Sequence, residues 1–256
     1  NAISWWIFNA SDKVIVSAIL GVEQNGILSA SLKFSSVYIT FYNILNMSWT
    51  ESIASSINDS DINEYFNRTF DIIMRLFTSL AVGMIACMPF VYPIMINQKF
   101  SSGYGLVPIS LLGSLFNVMV GLISVVYIAK KNTKAVANIS VISAIINVTV
   151  HLVLIRWTGL YAAVISTFVA FFIMTIYRII DVSKKYFKIN FNLKFCIISF
   201  ISFVFVFVCY YINNFYLSII GITIAIAFAL YANKKTAKVL ITTLIKRDSK
   251  KYNKLN

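Results

Sequence analysis

Asn9-Ala10-Ser11-Asp12-Lys13 decides how this chain is read. An acid and a base stand side by side, with apolar runs at Ile3–Phe8 before them and Val14–Leu20 after. A helix of that composition crossing a bilayer puts both charges near its middle. Holding a charge there costs between ~2.5 kcal/mol and several times that, so such residues face a bundle interior or a wet cavity. The rest of the sequence reads as the scaffold that supplies one.

Composition agrees. The chain of 256 residues is 59% hydrophobic and 12% charged, with a mean hydropathy of +0.80, against roughly 45–50% apolar and about 25% charged for a soluble domain. Eight hydrophobic segments follow one another: 2–20, 26–48, 70–96, 105–128, 134–155, 158–180, 194–212 and 215–232. Most reach the ~20 residues a membrane helix needs. Unsatisfied backbone is excluded from hydrocarbon, and no barrel-like alternation is present, so the segments read as helices. The expected fold class is all-α, a polytopic membrane bundle of about eight spans.

Basic residues orient it. Counting crossings from the N-terminus, 18 of the 22 Lys and Arg fall on the side to which even-numbered crossings return the chain. The positive-inside rule makes that side cytoplasmic, with the C-terminus there too. The net charge of +13 is thereby explained without a nucleic-acid partner. Arg75 and Arg178 read as snorkelling to the cytoplasmic interface. The longest connection, Thr50–Thr69, is polar and cytoplasmic, with Ser60-Asp61-Ile62-Asn63-Glu64 expected to cap the third helix. The tail 233–256 is basic with Leu240, Ile241, Leu244 and Ile245 interleaved; it reads equally as a helix on the anionic leaflet or as a solvated flank.

Polar residues inside the segments mark the candidate site. On the second segment Ser29, Lys33, Ser36, Thr40, Asn43 and Glu51 fall along one line at helical pitch, the pattern of a helix lining a polar cavity. Asp12 and Lys33 lie at matched depth, each roughly 15 Å from the short connection between their helices. An Asp12–Lys33 or Asp12–Lys13 ion pair is therefore expected, either neutralising both groups or facing a ligand. Asn117 joins the candidates, as do Asn147 and His151 on one face of the fifth segment. His151 is placed near the outer end, as a hydrated interfacial residue more than a proton relay. Small-residue lines (Ser79, Gly83, Cys87; Gly113, Gly121; Gly159, Ala163, Ser166, Ala170) read as close helix packing, and Pro89 and Pro93 as a kink. The last two segments lack a polar stripe and read as peripheral.

Enzyme signatures are missing: there is no Gly-rich phosphate loop, no metal-ligand spacing and a single histidine. Cys87, Cys196 and Cys209 sit in apolar runs at unrelated spacings, which suggests neither disulfides nor a zinc site. No catalytic residue, cofactor or metal is expected. No signal peptide is visible, and the start at Asn1 in an apolar run reads as a piece of a longer chain.

The run Ser4-Trp5-Trp6, then Asn9 to Lys13, Leu20-Gly21 and Asn25 to Lys33, resembles the opening of the second lobe of Wzx-type polysaccharide and O-antigen flippases. Trp49, the polar loop ending in Tyr65 and Arg68, and Gly103-Tyr104-Gly105 are similar too. These proteins belong to the multidrug/oligosaccharidyl-lipid/polysaccharide exporter superfamily. The resemblance implies residues 1–180 as a six-helix C-terminal lobe, 181–232 as an appended helix pair and 233–256 as a basic cytoplasmic tail. It implies an N-terminal lobe outside this chain and alternating access between the two. The implied function is translocation of an isoprenyl-pyrophosphate-linked oligosaccharide across the bacterial inner membrane for capsule or O-antigen biosynthesis, by a transporter and not an enzyme. Lys13 and Lys33 would meet the pyrophosphate, and Ser36, Thr40, Asn43 and Asn117 the sugar hydroxyls. The alternatives are a drug exporter or peptidoglycan-precursor flippase of the same superfamily, or a polytopic polymerase or acyltransferase. Lysines in place of cavity acids weigh against the drug exporter, and the short outer loops against the polymerase. Lys33→Ala and Asp12→Ala are expected to impair transport but not insertion.

Overall fold

This computed structural model describes residues 2–252 and the side chains of 10–234 and 236–238, and eight α-helices form among the described residues. They are α1 (Ala2–Ile19), α2 (Val22–Ser56), α3 (Ile62–Met95), α4 (Val107–Ala129), α5 (Thr133–Thr158), α6 (Tyr161–Lys185), α7 (Leu193–Ile212) and α8 (Phe215–Tyr252), with a 3-10 segment, Gln98–Leu106, before α4. No strand forms among the described residues. The all-α polytopic bundle expected from the sequence is what forms.

Six helices, α3 to α8, carry stretches long and apolar enough to cross a membrane. The two that do not meet that measure among the described residues are α1 and α2, the ones bearing Asp12, Lys13 and the polar line. In α2 the polar line is what lowers the hydropathy; in α1 the described side chains begin at Ala10, which leaves less than a full span to measure.

Connections are tighter than expected. Only Leu20 and Gly21 join α1 to α2, and the turn places Gly21 at φ 96, a region glycine enters without steric cost. The predicted long loop at Thr50–Thr69 shrinks to Ile57–Asp61, because α2 runs on to Ser56 and α3 starts at Ile62. Asp61 stands at the N-cap as expected but makes no side-chain cap bond. Asn132 and Asn192 do cap, accepting from the backbone N–H of Ala135 and Phe195 at 3.3 and 3.1 Å. The eighth segment is not short: α8 continues unbroken past residue 232. The side chains of Leu240, Ile241, Leu244 and Ile245 lie outside the described residues, as do those of Ser4, Trp5, Trp6 and Asn9.

In lipid, helices associate through close packing and interhelical hydrogen bonds, not hydrophobic gain. Here α4 lies at the centre against α2, α3 and α6, while α1 packs on α5 and α2, and α7 and α8 pack on α3. A Cβ on Gly113 would sit 3.4 Å from the Phe168 backbone, so that glycine sets the α4–α6 approach. At Gly121 a Cβ would collide with the Tyr42 ring of α2. At Gly83 a Cβ would meet nothing within 4 Å among the described residues. Hydrogen bonds finish the joints: Ser35 with Ser110 at 2.7 Å, Tyr38 to the Phe77 carbonyl at 3.1 Å, Trp49 to the Leu122 carbonyl at 3.1 Å, and Asn233 to Ser79 at 2.9 Å. The last two helices are therefore tied to α3, although their outer faces stay apolar and exposed. Beside the 3-10 segment Tyr104 stacks on Tyr210 with centroids 4.2 Å apart, and the Tyr210 hydroxyl donates to the Tyr104 carbonyl at 2.6 Å.

Candidate functional site

A cavity of about 640 Å³ opens between α1, α2, α4, α5 and α6. Of the sequence candidates, Asp12, Lys13, Ser36, Asn43 and Asn117 line it. Lys33, Thr40, Asn147 and His151 are not among its lining residues. The lining of α2 runs through Leu28, Leu32, Ser35, Ile39, Tyr42 and Asn46. This face is turned by about one residue's rotation, ~100°, from the line through Ser29, Lys33 and Thr40. Ser36 and Asn43 sit at the shared edge. Lys33 and Thr40 are exposed, and the Thr40 hydroxyl is spent on the Ser36 carbonyl of its own helix at 2.9 Å. Sequence reading missed Ser35, Tyr42, Asn46, Ser110, Ser114, Ser124, Thr167 and Arg178, all lining.

One end of the cavity is closed by a buried polar cluster. Asp12 is 8% exposed. Its Oδ1 meets His151 Nδ1 at 2.7 Å, and its Oδ2 accepts from the Thr167 hydroxyl at 2.8 Å. Asn147 donates to Thr167 at 3.1 Å and to Ser166 at 3.3 Å, while Ser11 donates to Asn147 at 3.5 Å. Asp12 thus pairs with histidine: among the described residues neither Lys13 nor Lys33 lies within ion-pair distance of it. The reason is helix order. α1 packs against α5 as well as α2, and His151 stands one helical turn from Asn147 on the face α1 covers. His151 is fully buried, not a hydrated interfacial residue, and its Nε2 has no hydrogen-bond partner among the described residues. Chemically this is an acid and a base able to share a proton, locked by two amide- and hydroxyl-bearing helices.

The other end is cationic. Arg178 is 1% exposed and lines the cavity. It does not snorkel: its Nη1 donates to the Val120 carbonyl at 2.9 Å and its Nη2 to the Ser140 hydroxyl at 3.5 Å, and its Nε finds no acceptor among the described residues. Tyr42 and Tyr127 flank it. The acid one turn along, Asp181, is held by the Tyr127 hydroxyl at 2.8 Å and Lys185 at 2.7 Å. Arg75 is also engaged, bonded to Asp71 at 2.7 Å and placed 4.4 Å over the Phe195 ring. Of the two predicted snorkelling arginines, one ties a cavity wall and the other docks α3 onto α7.

No protein-family model matches the chain, and a search of curated proteins finds no match. Among solved structures the fold is similar to that of the lipid II flippase MurJ in its inward closed conformation, with a TM-score of 0.61 and 20% identity. The likeness covers 90% of this chain and 53% of that one, so the chain spans about half the length of that protein. At this identity the shared property is the fold: a membrane helix bundle laid out as one half of MurJ is.

Proposed function

We propose that this chain is the C-terminal lobe of a flippase that carries an isoprenyl-pyrophosphate-linked oligosaccharide across the cytoplasmic membrane. The observation that carries the reading is the cavity itself: a pocket of mixed polar and apolar lining, with Lys13 and the buried Arg178 on its wall and its one acid, Asp12, engaged by His151 and Thr167, in a MurJ-like half-bundle. Serine and asparagine side chains suit sugar hydroxyls. Cations suit phosphate, and lysine, as a mobile point charge, releases it readily. The N-terminal lobe, outside this chain, would complete the cavity on its open side, and rocking of the two halves would expose it alternately. Residues 181–232 would be the appended pair, and the basic flanks would face the cytoplasm. Asp12, Lys13, Ser36, Asn43 and Asn117 are the proposed contacts. Asn147 and His151 hold Asp12 in place, and Lys33 and Thr40 sit on the face toward the other lobe.

A second reading is favoured by the MurJ-like fold: a peptidoglycan-precursor flippase. One experiment separates them. The full-length gene is placed in a strain lacking its polysaccharide flippase and in one depleted of its peptidoglycan-precursor flippase. Restored surface glycan in the first is the expected result. Restored growth in the second alone replaces it with the second reading, and rescue of neither, at normal membrane levels, rejects both.

A further inference from the structure

We propose that Arg178 is the anion-binding residue of the cavity and takes a phosphate group of the ligand at the end opposite Asp12. The proposal rests on the flippase reading for its ligand, a pyrophosphate linked to a lipid, but its geometry stands alone.

Four observations meet at this residue. The guanidinium is buried and borders the cavity. It carries five N–H donors, of which the described residues engage two, one of them weakly at 3.5 Å, and Nε meets no acceptor among them. Among the described residues no carboxylate lies within ion-pair distance of it, because Asp181 is taken by Tyr127 and Lys185. The cavity's acid, Asp12, is satisfied by His151 and Thr167 at the far end. Thr167 and Arg178 stand eleven residues apart on α6, roughly 16 Å along its axis.

A buried charge without a counter-charge is costly, and a guanidinium matches phosphate in a two-pronged geometry that lysine lacks. The groups around it are neutral hydrogen-bonders, with the Tyr42 hydroxyl donating to Asn46 at 2.8 Å and Asn43 one residue beyond Tyr42. They can shift toward an incoming phosphate without a competing negative charge. Lys184 and Lys185 follow within two turns on the same helix and mark the end of the bundle from which an anionic headgroup would approach.

The test uses full-length protein in lipid nanodiscs, with thermal unfolding followed against inorganic pyrophosphate, farnesyl pyrophosphate and farnesol. Wild type is expected to gain thermal stability with a pyrophosphate and not with farnesol. Arg178→Met and Arg178→Gln are expected to weaken that response at least tenfold in apparent affinity, and Arg178→Lys by a smaller factor. Each variant's unfolding temperature without ligand reports a merely structural role, which would fall while the ligand response stayed. If the Met and Gln variants do not fold, Arg178→Lys carries the test, and wild-type affinity in it overturns the proposal. So does an unaltered response in Arg178→Met, or no response in wild type. Binding of inorganic pyrophosphate as tight as that of farnesyl pyrophosphate assigns the site to the headgroup alone; binding of the lipid form only assigns it to the headgroup on its chain. Rescue of a flippase-null strain by an Arg178→Met protein that no longer responds to pyrophosphate keeps the anion site and removes it from transport. Arg178-dependent binding without rescue by wild type keeps the site and removes transport.

Discussion

The two ends of α6 treat a buried ionisable group in opposite ways. At Thr167 the carboxylate of Asp12 has both oxygens engaged, one by a histidine and one by a hydroxyl, and α1, α5 and α6 all contribute. At Arg178 the cation meets a carbonyl and a hydroxyl, and the neighbouring carboxylate is turned away to Tyr127 and Lys185. One end closes on itself; the other keeps donors unused. Lys13, beside Asp12, also lines the cavity but is exposed; Arg178 is the cation that the wall holds buried with donors unused.

The largest expected effect breaks the closed end. Asp12→Ala leaves His151 fully buried with neither ring nitrogen bonded and takes the acceptor from the Thr167 hydroxyl, and each buried polar group left unsatisfied costs about 1–3 kcal/mol. Loss of transport and a large fall in unfolding temperature, read on nanodisc-embedded protein and by complementation, are expected; wild-type stability would show that the pair contributes nothing. A sharper version is a double-mutant cycle. Asp12→Asn and His151→Gln share a hydrogen bond and should be non-additive by about 0.5–3 kcal/mol, whereas Asp12→Asn and Arg178→Gln, at opposite ends, should add within about 0.5 kcal/mol. Equal coupling in both pairs would erase the distinction between the ends.

Next comes the wall between them. Gly121→Ala places a methyl group on the Tyr42 ring, and overpacking of this kind costs about 1–3 kcal/mol. Gly113→Ala meets Phe168 only at ordinary contact distance and should cost less. The order of the two unfolding temperatures checks it. Trp49→Phe removes one bond to the Leu122 carbonyl and should cost about 1 kcal/mol.

Much of this was legible in the sequence. Hydropathy and the distribution of lysine and arginine find all eight helices, because membrane solvation acts residue by residue. Asn147 and His151 fall on one face by helical spacing alone. What could not be read is which helix covers that face: the Asp12–His151 contact joins positions 139 apart, and nothing local in α1 specifies α5 over α2. The same limit hid Arg178. A lone arginine near the end of an apolar segment reads as snorkelling, and only the placement of α4 and of Tyr127 on Asp181 shows it turned inward. The polar line on α2 was found but misphased. Serine and threonine that bond their own helix, as Ser36 does to Leu32 and Thr40 to Ser36, look the same in sequence whether they face a cavity or not.

That misphasing sets the smallest predicted effect, at Lys33. It is exposed, lies off the cavity lining and has no acid within ion-pair distance among the described residues. Its replacement by alanine should leave the unfolding temperature of the full-length protein within the change expected for a surface site, about 0.5 kcal/mol, and should leave pyrophosphate binding at Arg178 intact. Transport is the informative readout. If it fails in Lys33→Ala while binding and stability hold, the lysine acts on the face of α2 turned toward the other lobe, in a step that involves both halves. If transport also survives, the polar line at Ser29, Lys33 and Thr40 is a solvated helix face, and the working chemistry of α2 belongs to its lining face, Ser35, Ser36, Tyr42, Asn43 and Asn46.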